Sequence, residues 1–60
     1  MEIKFHTLRQ YRSVMRTLSA HIHWDDKVTI SQRDNGTIIC SNRILEVEIH
    51  TNGNMTYLTY

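Results

Sequence analysis

Residues 27–60, KVTISQRDNGTIICSNRILEVEIHTNGNMTYLTY, decide the fold. Two Asn-Gly pairs, Asn35-Gly36 and Asn52-Gly53, each sit between runs in which apolar and polar residues alternate. Asn and Gly both tolerate the positive φ that tight hairpin turns demand, and alternation at a period of two marks a strand with one buried face. The pattern predicts two β-hairpins in succession.

Matching the faces sets the registers. In the first hairpin, residues 27–42, a two-residue loop would set Arg33 against Ile38 and Gln32 against Ile39, polar against apolar. A three-residue loop, Asp34-Asn35-Gly36, places the glycine at the left-handed position of a G1 bulge. It pairs Ile30 with Cys40 and gathers Val28, Ile30, Ile38 and Cys40 on one face. In the second hairpin, residues 43–60, a two-residue Asn52-Gly53 loop pairs Val47 with Leu58 and Leu45 with Tyr60. Leu45, Val47, Ile49, Leu58 and Tyr60 then form the core face, and Glu46, Glu48, His50, Met55 and Tyr57 the outer one. Leu45-Glu46-Val47-Glu48-Ile49 is the cleanest alternation in the chain.

Upstream, Met1, Ile3 and Phe5 alternate with Glu2 and Lys4, which predicts a short strand over residues 1–5. Thr7 has the character of a helix N-cap, with Gln10 placed to close a capping box. Leu8, Tyr11, Met15, Leu18 and Ile22 recur at steps of three and four, a stripe down one side of a helix over residues 8–22, with Val14 at its margin. Asp25 and Asp26, unfavourable beside a helix C-terminus, mark where it stops. The expected fold is α+β, in the order β-α-β-β-β-β, with one helix packed on a small antiparallel meander sheet over a single domain of residues 1–60. Its expected core is Phe5, Leu8, Tyr11, Met15, Leu18, Ile22, Val28, Ile30, Ile38, Leu45, Val47, Ile49 and Leu58.

Composition narrows the classes of function. Seven basic and six acidic side chains give a formal charge of +1, neither a polycation nor an acidic mimic of nucleic acid. Cys40 is the single cysteine, so no internal disulfide forms, which fits a reducing compartment. The first residues hold no apolar run of about 7–15 residues, as a secretory leader would. No stretch approaches the ~20 apolar residues of a membrane helix. With Met1 at its head, the chain is expected to be a stand-alone cytoplasmic product.

Few residues invite chemistry. Arg9, Arg12 and Arg16, at i, i+3 and i+7, fall on the helix side away from the apolar stripe. No acid occurs between Glu2 and Asp25, so no i,i+4 acid occupies them, and three guanidinium groups in a row can grip phosphates or an acidic partner. His21 and His23, with His6, His50 and Cys40, have zinc-ligand chemistry but poor spacing: residues two apart on a helix point away from one another. Asp25 and Asp26 read as loop chemistry, and Cys40 as a buried, inert thiol. No catalytic constellation, metal or cofactor is expected. Trp24, just past the helix, is a natural interface anchor if exposed, and Met55 and Tyr57 join Ile39 as a contact patch on the outer sheet face. A free edge strand, residues 1–5 or 55–60, could pair with a partner's sheet or a second copy of the chain.

The reading of function is therefore a small non-enzymatic regulator or inhibitor that binds and masks a larger protein, of the size class of antitoxin-like and viral-type binders. Its contacts would be Arg9, Arg12, Arg16, Trp24, Met55 and Tyr57. The alternative is nucleic-acid binding through the basic helix face. A small hydrolase using His23, Asp25 and His50 is the third reading.

Overall fold

The computed structural model describes residues 2–20, 27–43 and 45–59. One helix, α1 (Leu8–Ser19), precedes four strands: β1 (Thr29–Gln32), β2 (Ile38–Ser41), β3 (Leu45–Ile49) and β4 (Met55–Thr59). The strands form an antiparallel meander in the order β1-β2-β3-β4, and α1 lies against its two central strands. The α+β class and the meander are as the alternation predicts.

Helix α1 starts where its cap dictates. Thr7 is extended, and its hydroxyl accepts from the Gln10 amide at 3.1 Å. Gln10 reaches back one residue further than a simple capping box, accepting from the His6 N–H at 2.7 Å. The helix ends at Ser19, where the Ala20 N–H turns back to the Thr17 carbonyl. Residues 21 and 22, in the expected last turn, lie outside the described residues.

Both hairpins turn on the same device. Arg33 pairs with Thr37 around Asp34-Asn35-Gly36, and His50 pairs with Asn54 around Thr51-Asn52-Gly53. The glycines adopt φ of +95° and +94°, and no other described residue has a positive φ. Each asparagine instead uses its side chain: Asn35 Oδ1 accepts from the Thr37 N–H, and Asn52 Oδ1 from the Asn54 N–H, both at 3.0 Å. The first hairpin has the expected register, with Ile30 opposite Cys40. The second is one residue away from expectation. Leu45 pairs with Thr59, Val47 with Tyr57 and Ile49 with Met55. A two-residue turn would need Asn52 at positive φ; the three-residue loop spends only glycine there. Because the side-chain period is two, that single step turns the whole of β4 over. Met55 and Tyr57 lie on the helix side of the sheet, and Leu58 lies outside opposite Glu46.

Residues 2–5 form no strand, a second departure from expectation. Lys4 is held by a side chain instead: its N–H donates to Gln32 Oε1 at 2.9 Å, and Gln32 Nε2 donates to its carbonyl at 2.7 Å. One side-chain amide at the end of β1 does for Lys4 what a neighbouring strand's backbone would do. The order among the described residues is therefore α-β-β-β-β.

The buried core comprises Val14, Ile38, Cys40, Leu45, Val47 and Ile49, with Ile3, Leu18, Val28 and Met55 packed against it. The helix meets this core by Gln10, Val14 and Thr17; of the described residues in the predicted stripe only Leu18 packs against it. Leu8, Tyr11 and Met15 are turned roughly a third of a turn away and are exposed. Polar bonds fix the rotation. Gln10 Nε2 donates to the carbonyls of Gly36 (2.8 Å) and Ile49 (3.3 Å), Ser13 Oγ donates to the Gly53 carbonyl (2.8 Å), and Thr17 Oγ1 contacts Met55 Sδ (3.3 Å). These short side chains bring α1 close to the hairpin turns. Phe5, Ile30 and Leu58, also expected in the core, are exposed as well.

Cys40 is fully buried, and loss of solvent pushes its thiol up to about 11. Folding therefore favours the protonated thiol. The stability this contributes is complete below pH 9 and is lost as pH rises toward 11. At pH 8 iodoacetamide should leave Cys40 unmodified in native protein and alkylate it fully in urea; rapid native labelling would place the thiol at the surface.

Candidate functional site

Rotation of α1 divides its surface into a buried face and two exposed flanks. On one flank Arg9, Arg12 and Arg16 are all exposed. With Ser13 they form one wall of a surface cleft of about 270 Å³, whose other wall is the β3–β4 turn, Asn52, Gly53 and Asn54. The walls are fastened together by the Ser13–Gly53 bond and by close packing of the turn on the helix. A Cβ at position 53 would stand 2.7 Å from Arg9 Cβ and 3.1 Å from the Arg9 carbonyl carbon, so only glycine allows this approach. Among the described residues, no acid pairs with any of these three arginines. The cleft concentrates positive charge and N–H donors.

The other flank is apolar. Leu8 is 62% exposed, Tyr11 43% and Met15 39%, and Phe5 adds its ring edge-on to Tyr11, with centroids 5.0 Å apart. Ser13 places the arginine flank toward the β3–β4 turn, so the apolar flank lies toward β1, where Ile30 is exposed on the same side of the sheet.

The sequence-predicted contacts do not form one site. Arg9, Arg12 and Arg16 come together as expected. Met55 and Tyr57 are not on the outer face. Met55 is half-buried beneath Thr17, and Tyr57 is exposed on the helix side of edge strand β4. The outer face carries Ile39 and Leu58 among Ser31, Glu46, Glu48 and Thr56, with an Arg33–Glu48 ion pair at 2.7 Å. Trp24, His21, His23, Asp25 and Asp26 lie outside the described residues. His50 Nε2 is 3.0 Å from Thr56 Oγ1, a cross-strand contact within the hairpin. Among the described residues no group of three or more His, Cys, Asp or Glu is placed to hold a metal ion, and no helix is long and apolar enough to cross a membrane.

No family model matches the sequence, and neither curated proteins nor solved structures resemble it significantly. The two flanks stand on their own chemistry. Sequence reasoning overlooked the apolar one, because a stripe at helical spacing is the usual signature of a buried face. It also overlooked Asn52 and Asn54, whose residue types announce a turn and nothing more.

Proposed function

We propose that this protein is a small non-enzymatic regulator that binds a larger protein and masks one of its sites, presenting α1 to an apolar groove. The observation that carries the reading is the exposure of Leu8, Tyr11 and Met15 down one flank of the only helix among the described residues. Rings and long apolar chains at i, i+3 and i+7 are the anchors by which a helix seats in a groove. Phe5, packed on Tyr11, widens the strip. The helix carries no acidic residue, and its arginine flank would face the groove's rim, so the partner fitted to it is apolar within and acidic at the edge.

The test is co-purification from the native cell with nuclease present. Leu8→Asp combined with Met15→Ser should weaken recovery of the partner roughly tenfold or more. Both positions are exposed, so the variant is expected to fold, which its circular dichroism checks. Recovery unchanged by that variant would overturn the reading.

The exposed arginine row favours nucleic-acid binding as a second reading. Affinity would then fall steeply with added salt, and Arg12→Glu with Arg16→Glu would abolish it. An apolar protein interface loses little over the same salt range.

A further inference from the structure

We propose that the cleft between the arginine flank of α1 and the β3–β4 turn binds the dianion of a phosphate monoester or of free phosphate. This site lies on the flank opposite the apolar strip and does not depend on it. Arg9, Arg12 and Arg16 span about 10 Å of helix, at 1.5 Å per residue. Spread along an open strip they would suit a nucleic-acid backbone, with its regularly spaced single charges. Instead all three line one open cleft, bounded on its far side by Asn52, Gly53 and Asn54. At about 270 Å³ it falls below the roughly 300–1,000 Å³ of pockets that take whole drug-sized ligands. It therefore takes a compact charged group and leaves the remainder of the molecule outside.

The wall chemistry agrees with that size. Guanidinium groups match phosphate oxygens two at a time, and side-chain amides add neutral donors. Asn52 accepts from the Asn54 N–H through its oxygen, which leaves its NH₂ group to donate. Among the described residues no acid competes for the arginines. The turn is held to the helix by Ser13 and by the packing of Gly53 on Arg9, so the two walls meet the ligand in a fixed relation.

The test is a titration of the isotope-labelled protein by NMR at constant ionic strength, with inorganic phosphate, a nucleoside monophosphate and an oligonucleotide lacking terminal phosphates as separate ligands. Saturable shifts confined to residues 9–16 and 52–54 are expected with the first two. Each should bind about tenfold more weakly to Arg12→Gln and to Arg16→Gln, and unchanged to Lys4→Gln. Affinity for the nucleoside monophosphate should rise as pH passes the second pKa of a phosphate monoester, about 6. Tighter binding of the nucleotide identifies an ester as the ligand, and equal binding identifies the free anion. Absence of saturation, equal weakening by Lys4→Gln, or binding of the oligonucleotide alone would overturn the site.

Discussion

Gln10→Glu is expected to fold at acid pH and to unfold near neutrality. Gln10 is fully buried where α1 meets both hairpin turns. Its oxygen accepts from the His6 N–H, and its NH₂ donates to the Gly36 and Ile49 carbonyls. A carboxylate keeps the first bond and sets a negative oxygen against two carbonyl dipoles. A protonated carboxyl restores one of the two donations. Burial and the carbonyls both raise the folded-state pKa above the ~4.3 of an unfolded glutamate. Stability is then fully present below that value and lost as pH climbs through the folded pKa. At neutral pH the loss should reach about 3 kcal/mol or more, comparable to the roughly 3–5 kcal/mol that a single core supplies in so small a domain. Urea unfolding of variant and wild type from pH 4 to pH 8 measures it as a widening gap between midpoints. Gln10→Leu should be destabilised by a similar amount with no such pH dependence. A constant gap for Gln10→Glu would mean that the amide is not buried between those carbonyls.

Gly53→Ala carries the second large effect. The alanine would have to hold φ near +94° with its methyl carbon 2.7 Å from Arg9 Cβ and 3.1–3.2 Å from the Arg9 carbonyl group. The left-handed conformation costs about 1–2 kcal/mol, and forcing backbone away from backbone costs roughly 1–3 more. At Gly36 the nearest atoms belong to Thr51 and His6 side chains, which can swing aside. Thermal unfolding should therefore rank wild type above Gly36→Ala, and Gly36→Ala above Gly53→Ala. A Gly53→Ala melting temperature equal to that of wild type would separate the β3–β4 turn from the helix, and with it dismantle the arginine cleft.

Much of this architecture was legible in the residues, and the failures have separate causes. Alternation in Leu45-Glu46-Val47-Glu48-Ile49 assigns the buried face correctly, because a central strand answers to both neighbours. Thr7 and Gln10 mark the helix start because capping is local chemistry. β4 misled because Met55 and Tyr57 on one face are rivalled by Leu58 on the other, so apolar matching leaves its register open. The three-residue loop read correctly at 34–36 recurs at 51–53, and that likeness was the better guide. Helix rotation misled for a deeper reason. The amphipathic stripe measures where apolar residues cluster, whereas contact with this sheet is set by Gln10, Ser13 and Thr17 reaching particular hairpin atoms. No local pattern encodes those long-range bonds. The arginine row was legible as a row; its meeting with Asn52 and Asn54 was not, since that depends on where the second turn closes.

Everything proposed for the two flanks depends on which side of α1 faces the sheet. Urea denaturation of Leu8→Asp and Val14→Asp, measured side by side, decides it. Leu8→Asp should unfold with a midpoint at or above that of wild type, since an acid in the first turn of an exposed helix side is favourable, and Val14→Asp should fail to fold. A Leu8→Asp protein that collapses while Val14→Asp unfolds like wild type would put the apolar stripe against the sheet and contradict the account.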